Sequence, residues 1–535
     1  MAATILELQT TEANEIISRD PATGAEVGRV PVATAAEVNA VVVRAREAQK
    51  AWGKLSFRER GRVVMRARGI ALDEMEEIAT LISRESGKPV AEAVLMELMP
   101  SLDLMQFFAR KTERMLRPEK LDIGLYKSLG RTSRIAYQPL GVVGIIAPWN
   151  FPWAIPLDEV VMALMAGNSV VLKPSELTPL VGLKIGEVFE RAGLTSDVLQ
   201  VVTGGATTGA ALVDARVDKI MFTGSVATGR KVARAAAEHL TPVVLELGGK
   251  DPMLVLEDAD IETAASAAVW GAFANTGQAC ASVERCYVHE KIATEFIERV
   301  VEGTRALRVG VGTSADSDIG AMSSERQLNV VAEHVADAVA HGAKVLTGGE
   351  RAGNADNRDG SFYQPTVLTN VDHTMRVMSD ETFGPVLPVM IFKTEDEAVR
   401  LANESIYGLT ASVWTRDIAR GRKIAELLEA GTVTVNEVLY THGIAQTPWG
   451  GVKQSGIGRT HGRLGLLELV SPRHVHVNRF ASVPDLWWFN YTPRAGRLFR
   501  GFARRFSTGS MLQTSLLLPL MMRRFFERRR KKPTP

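Results

Sequence analysis

Five short apolar runs, at 142–147, 169–173, 198–202, 219–222 and 242–246, constrain this chain more than anything else in it. They are rich in valine, isoleucine and leucine, they lack polar alternation, and helix-like segments separate most of them. Unbroken apolar strands are buried on both faces, and strands that alternate with helices build a parallel sheet covered on both sides. The predicted fold class is therefore α/β. Ligands of such sheets bind beyond the carboxyl ends of the strands.

Those ends carry polar residues. The first run leads into Pro148-Trp149-Asn150-Phe151-Pro152, where two prolines stiffen a turn and present an amide able to donate to an oxyanion. The second ends in Lys173-Pro174-Ser175-Glu176, an ammonium and a carboxylate able to bracket ribose hydroxyls. The fourth ends in Phe222-Thr223-Gly224-Ser225 ahead of a helix from about Val226, whose free amides and dipole suit a pyrophosphate. Gly224 to Gly229 imitates part of a triphosphate-binding loop, but Arg230-Lys231 replaces its Lys-Ser/Thr ending and excludes it. The fifth ends in Leu245-Glu246-Leu247-Gly248-Gly249-Lys250, a lone carboxylate whose charged form is disfavoured among apolar neighbours. Such a group is poised to accept a proton near neutral pH. Further on, Asn275-Thr276-Gly277-Gln278-Ala279-Cys280 places a thiol after a flexible turn, where a nucleophile would need amides and a base. Taken singly, each of these is also an ordinary strand-turn-helix junction, and a lone cysteine is also a small buried hydrophobe.

The remaining chain frames this segment. At 535 residues it has room for two or three domains, and 46% apolar with 23% charged residues is ordinary globular composition. Residues 12–30 contain the turn Asp20-Pro21-Ala22-Thr23-Gly24 and read as a hairpin. From 35 to about 108, stripes such as Val38, Val41, Val42 and Ala45 predict helices. Charged and apolar residues mix without helical period at 121–137, which reads as a strand pair. Two cysteines offer no disulfide framework and point to a reducing, cytoplasmic compartment. The first ten residues lack a secretory pattern, and no apolar window is long enough to span a membrane.

Charge is unevenly spread. Residues 481–535 hold twelve Lys/Arg against two acidic residues, so the first 480 carry −8 of a chain whose net charge is +2. That tail opens on the aromatic cluster Trp487-Trp488-Phe489-Asn490-Tyr491. From Arg494 to Phe506 a helix would set Ala495, Leu498, Phe499, Phe502 and Phe506 opposite five arginines, the pattern of a helix lying in a membrane interface. A leucine-rich run at 516–522 is too short to span and precedes a basic run to Lys532. An anionic membrane surface is the expected partner of this tail, with subunit packing or a solvated end as alternatives. No nucleic-acid motif accompanies the charge.

From about Ile17 to Val477 the chain resembles the aldehyde dehydrogenase superfamily. The resemblance rests on the four strand-end motifs above, on Gly277-Gln278-Ala279-Cys280, on Glu381-Thr382-Phe383-Gly384-Pro385 and on Pro448-Trp449-Gly450-Gly451-Val452-Lys453-Gln454-Ser455-Gly456, in the family's order. It implies a Rossmann-like cofactor domain (1–120 and 140–248), an α/β catalytic domain (249–463) and a small β oligomerisation element (121–139 and 464–480), with 481–535 as an added basic tail. A homodimer or homotetramer would form through those strands. Cys280 would attack an aldehyde, Asn150 and the Cys280 amide would hold the oxyanion, and Glu246 would activate water to hydrolyse a thioester. Trp149, Lys173, Glu176, Gly224, Ser225, Glu381 and Phe383 would bind the cofactor. Glu176 favours NAD, since a carboxylate repels a 2′-phosphate, although NADP remains open. Glu246 favours hydrolysis over transfer to coenzyme A. A thiol-esterase and a non-catalytic membrane scaffold are the other classes to weigh.

Three positions depart from the family. Glu159 and Thr460 stand where many members carry a lysine and an acidic residue of a proton relay. Asp158 stands where semialdehyde-specific members carry a basic residue. It would either line the entrance and repel anionic aldehydes such as succinate semialdehyde, or cap a helix. His442 lies near the expected substrate mouth. His239, His289, His341 and His373 stand alone, no metal site is expected, and Cys286 reads as buried packing rather than a resolving thiol.

Overall fold

A computed structural model describes residues 14–353, 360–480, 485–509 and 511–529. The chain forms two compact units, one of residues up to Leu116 with Gln138–Ser471, the other of Arg117–Tyr137 with the residues from Pro472 onward. Residues 1–10, 481–484 and the end of the basic run, 530–532, figured in the sequence reading and lie outside the described residues.

Among the described residues, the larger unit holds an antiparallel pair, Glu15–Arg19 with Glu26–Pro31, where the sequence suggested a hairpin, and two larger sheets. The first has six strands in the order Gly456–Ile457, Val243–Glu246, Lys219–Thr223, Val142–Ile146, Ser169–Lys173, Leu199–Val201. The five apolar runs all appear in it, mutually parallel. The sixth strand is antiparallel and pairs Gly456 with Glu246 and Ile457 with Leu245. Register pairs Ile146 with both Lys173 and Phe222, and Thr223 with Glu246. The polar motifs that follow these strands therefore leave the sheet at one end. Helix Ala35–Trp52 covers part of it, its Val38, Val41, Val42 and Ala45 buried as the stripe requires, and Thr34 with Glu37 closes its first turn as a capping box. Helix Ala154–Ala166 is buried on every side, so its sequence shows no amphipathic period.

The second sheet has seven strands in the order Lys344–Thr347, Thr366–Thr369, Val386–Phe392, Val283–His289, Asp251–Val255, Thr410–Trp414, Thr432–Val435. Cys286 lies inside it, fully buried among apolar residues, in keeping with its reading as packing.

The smaller unit joins an antiparallel sheet, Val470–Asn478 with Arg131–Pro139 and Glu119–Leu121, to the tail. A short helix, Leu125–Ser128, separates its two earlier strands, where the sequence suggested strand alone. The amphipathic segment is helix Pro493–Thr508, capped by Thr492, and the leucine-rich run lies in helix Met511–Arg529. The two pack on each other. A Cβ at Gly501 would lie 2.1 Å from Leu517 Cδ2, and Ala495, Leu498 and Leu517 are buried. Arg131 pairs with Asp485 and stands 4.8 Å over the Trp487 ring. The apolar face expected to meet lipid is thus divided, since Phe489, Tyr491, Phe506, Leu518 and Phe526 remain at least half exposed. Among the described residues, no helix is long and apolar enough to cross a membrane.

Candidate active site

The backbone ahead of Cys280 is strained. Asn275, Thr276 and Gly277 have φ of 53°, 56° and 70°. Left-handed non-glycine residues cost on the order of 1–3 kcal/mol each, so their surroundings must hold them. The Asn275 N–H donates to the Glu92 carboxylate at 3.0 Å, and its side-chain amide donates to the carbonyls of Asn150 and Gln278 at 2.9 and 3.0 Å. Ser323 N–H donates to the Gln278 side-chain oxygen at 2.9 Å. Gly277 is obligatory here, because a Cβ would lie 2.2 Å from the Gly384 oxygen. The turn leaves Cys280 partly buried.

Glu246, the last residue of its strand, meets that cysteine in one small chamber. The chamber has a volume of about 20 Å³ and is also lined by Glu159, Thr223, Thr460 and His461. That is room for about one water. Glu246 is 6% exposed, and neither of its carboxyl oxygens has a hydrogen-bond partner. Burial first, then the neighbouring Glu159, hold its pKa well above the carboxylate range, and Arg459 opposes them. Burial also pushes the Cys280 thiol up, helped by the carboxylates of Asp251, Glu246 and Glu381. The resting pair is a neutral thiol beside a carboxyl whose ionised form is disfavoured.

Asn150 stands beside the Cys280 turn. Its side-chain amide donates to the Gln278 carbonyl at 3.1 Å and has a second N–H to offer. The Asn150 carbonyl accepts from Lys88 Nζ at 2.7 Å, and Lys88 pairs at 2.6 Å with Glu97. Both members of this ion pair are fully buried. The second Glu97 oxygen accepts the N–H groups of Trp153 and Ala154 at 2.7 and 3.1 Å. Breaking a buried pair by removing one partner typically costs about 3–5 kcal/mol, so this pair fixes the Asn150 turn firmly. Sequence reading missed it, since Glu97 is aimed inward by the π-helical turn Val94–Leu98, which residue propensity does not mark.

The cofactor candidates gather at the same end of the sheet. Lys173 is buried, its ammonium 3.4 Å from Glu176, and burial lowers its pKa while Glu176 opposes the shift. Ser225 caps helix Val226–Ala237 by accepting from Thr228 N–H. The buried Thr223 hydroxyl beside it lacks a partner, as a donor waiting for a ligand would. Glu381 accepts from Gly249 N–H at 3.1 Å, and a Cβ at Gly248 would lie 2.1 Å from Glu381 Oε2, so only glycine admits that carboxyl. The Phe383 ring meets Trp149 edge-on, with centroids 5.4 Å apart. Thr382 and Phe383 donate their N–H groups to Glu284, each at 2.8 Å, and Glu284 also pairs with Lys250 at 2.5 Å. Glu284 is a further support that no sequence signal marked, and Lys250 closes a motif that the sequence reading used only for Glu246. This set of helix start, ammonium, carboxylates and aromatic ring fits a dinucleotide.

Asp158 corrects the sequence reading. It does not cap helix Ala154–Ala166, being its fifth residue, and the first amides go to Glu97 instead. It is 2% exposed and absent from the cavity lining that reaches Cys280 from outside. That tunnel, of about 230 Å³, is lined by Met96, Phe151, Ile155, Trp270, Leu439 and other mostly apolar residues, and its exposed carboxylate is Asp103. His442 lines both tunnel and chamber, as its expected place near substrate required. Asp158 instead faces His461, with Oδ2 3.4 Å from Nε2.

Comparison with known proteins agrees with this geometry. A profile of the Aldehyde dehydrogenase family matches residues 8–475, and the chain belongs to that family. It is an NAD(P)-dependent aldehyde dehydrogenase. It is 41% identical over 487 residues to the 4,4'-diapolycopene aldehyde oxidase of Methylomonas sp, covering 91% of this chain and 90% of that one. A Mycobacterium tuberculosis protein, provisionally named succinate-semialdehyde dehydrogenase (NADP(+)) 2, is 40% identical over 85% of this chain and 87% of its own. Among solved structures, the Mycobacterium tuberculosis aldehyde dehydrogenase complexed with NAD+ aligns with a TM-score of 0.82 at 36% identity, covering 87% of this chain and 95% of that one.

Proposed function

We propose that this enzyme oxidises lipophilic aldehydes to free carboxylic acids with NAD, using Cys280 as nucleophile and Glu246 as base. The observation that carries the proposal is the meeting of these two residues in a one-water chamber at the inner end of an apolar tunnel. The Cys280 thiol gives its proton to water as Sγ bonds to the carbonyl carbon. The oxyanion accepts from the Asn150 side-chain amide and the Cys280 N–H. NAD, when bound, supplies the hydride acceptor, and Lys173, Glu176, Ser225, Glu381, Phe383 and Trp149 are the residues that would hold it. Loss of hydride leaves a thioester on Cys280. Glu246 then withdraws a proton from the chamber water, which attacks the acyl carbon and frees the acid.

The tunnel's apolar lining supports a lipophilic substrate, as does the likeness to an enzyme named for 4,4'-diapolycopene aldehyde. Glu176 supports NAD over NADP. The exposed aromatic residues and the basic residues of the tail support a peripheral seat on an anionic membrane, and the antiparallel strands support assembly as a homodimer or homotetramer. The test is NADH formation across aliphatic aldehydes of increasing length, with and without anionic vesicles. The expected result is kcat/KM that rises with chain length. Flat dependence on length would remove the lipophilic assignment while leaving the chemistry untouched.

A further inference from the structure

We propose that Asp158, His442 and His461 form a binding site for one divalent cation of the Zn²⁺ class, where the substrate tunnel meets the catalytic chamber. One ligand atom from each of the three lies within 4.8 Å of those of the other two. The Asp158 Oδ2 to His461 Nε2 separation of 3.4 Å is close to the spacing of two ligands about 2.0–2.1 Å from one tetrahedral ion. The imidazoles of His442 and His461 have centroids 4.7 Å apart, at 66° to each other rather than stacked.

Three further observations point to a ligand. Asp158 and His461 are each 2% exposed, yet Asp158 Oδ1 and His461 Nε2 have no hydrogen-bond partner. Buried polar atoms without partners are rare, and each calls for a missing group. The other imidazole nitrogen of His461, Nδ1, is 3.0 Å from the Thr460 hydroxyl. Metal-bound histidines are oriented in this way, by an oxygen on the far nitrogen. Charge points the same way. Asp158, Glu159 and Glu246 are three neighbouring buried carboxyls, and among the described residues none of them forms an ion pair with lysine or arginine. A cation would relieve that crowding, and two imidazoles with one carboxylate select a borderline transition ion rather than Ca²⁺ or Mg²⁺. Binding does not depend on Cys280 being the nucleophile. The three ligands are far apart in the chain, so the sequence expectation of no metal site had no spacing on which to detect them.

The experiment is titration of Co²⁺ and Zn²⁺ into chelator-stripped, full-length Cys280→Ala protein, which removes the one reactive thiol that lines the same chamber. The expected result is one equivalent bound per chain, with visible Co²⁺ ligand-field bands and no thiolate charge-transfer band. His461→Gln and Asp158→Asn should each weaken binding by about 10-fold or more. His442→Gln serves if either fails to fold, and thermal unfolding with NAD binding reports whether each variant is native. Absence of binding in Cys280→Ala, or equal binding by native variants, would overturn the proposal.

Discussion

The two ends of the active site handle buried charge in opposite ways. At the nucleotide end, Lys173 lies 3.4 Å from Glu176, and Glu284 holds Lys250 together with the N–H groups of Thr382 and Phe383. Each charge there has a partner, so those groups are fixed before anything binds. In the acyl chamber, Glu246 and Glu159 have buried oxygens without hydrogen-bond partners, as does Asp158 next to Glu159 in the chain. Burial raises Asp158 to about 7 and Glu159 to about 8, and raises Glu246 well above its ordinary value. In the proposed mechanism the nucleotide end serves recognition and the chamber serves proton exchange. That contrast explains why one sheet end can carry carboxylates with unlike tasks.

Substitutions sharpen the contrast in order of size. Glu246→Gln should lower steady-state turnover by about 10²–10⁴-fold, the usual worth of general base catalysis, while a first-turnover burst of NADH persists in stopped flow. Asn150→Ala should lower kcat by about 10²–10³-fold, with little change in NAD affinity measured by fluorescence quenching. Equal loss of burst and turnover in Glu246→Gln would mean that this residue acts before the hydride step alone.

Glu159→Gln is a subtler probe. Hydrolysis needs Glu246 ionised, so its rate falls as pH drops through the raised Glu246 pKa. Glu159 is the second cause of that elevation, after burial. Removing its charge should move the acid limb of kcat to lower pH. A limb that stays put would detach Glu159 from the base. Glu176→Gln, at the paired end, should have the smallest effect, raising the NADP to NAD ratio of kcat/KM by about 10-fold through loss of one repulsive charge.

Much of this was legible in the chain. The five apolar runs gave the parallel sheet because a strand buried on both faces has a composition that survives without context, and Cys280, Glu246 and Asn150 were visible because each ends such a strand or a glycine turn. The supports were not. Lys88, Glu97, Glu92 and Glu284 look like ordinary surface charges until the fold buries three of them, and half-buries Glu92, beside the strained turn and the Phe383 loop. Asp158 was misread because helix Ala154–Ala166 is buried all round, which leaves no period to tell its inner face from its start. In the tail, amphipathicity was clear, but the sequence did not say that Gly501 would admit Leu517 and so turn part of the apolar face inward.

The most direct test is mass spectrometry of Glu246→Gln enzyme quenched during turnover with a long-chain aldehyde and NAD. An acyl group should accumulate on the peptide containing Cys280, in an amount equal to the NADH burst. A burst with no acyl adduct, or an adduct on Cys286, would contradict the account.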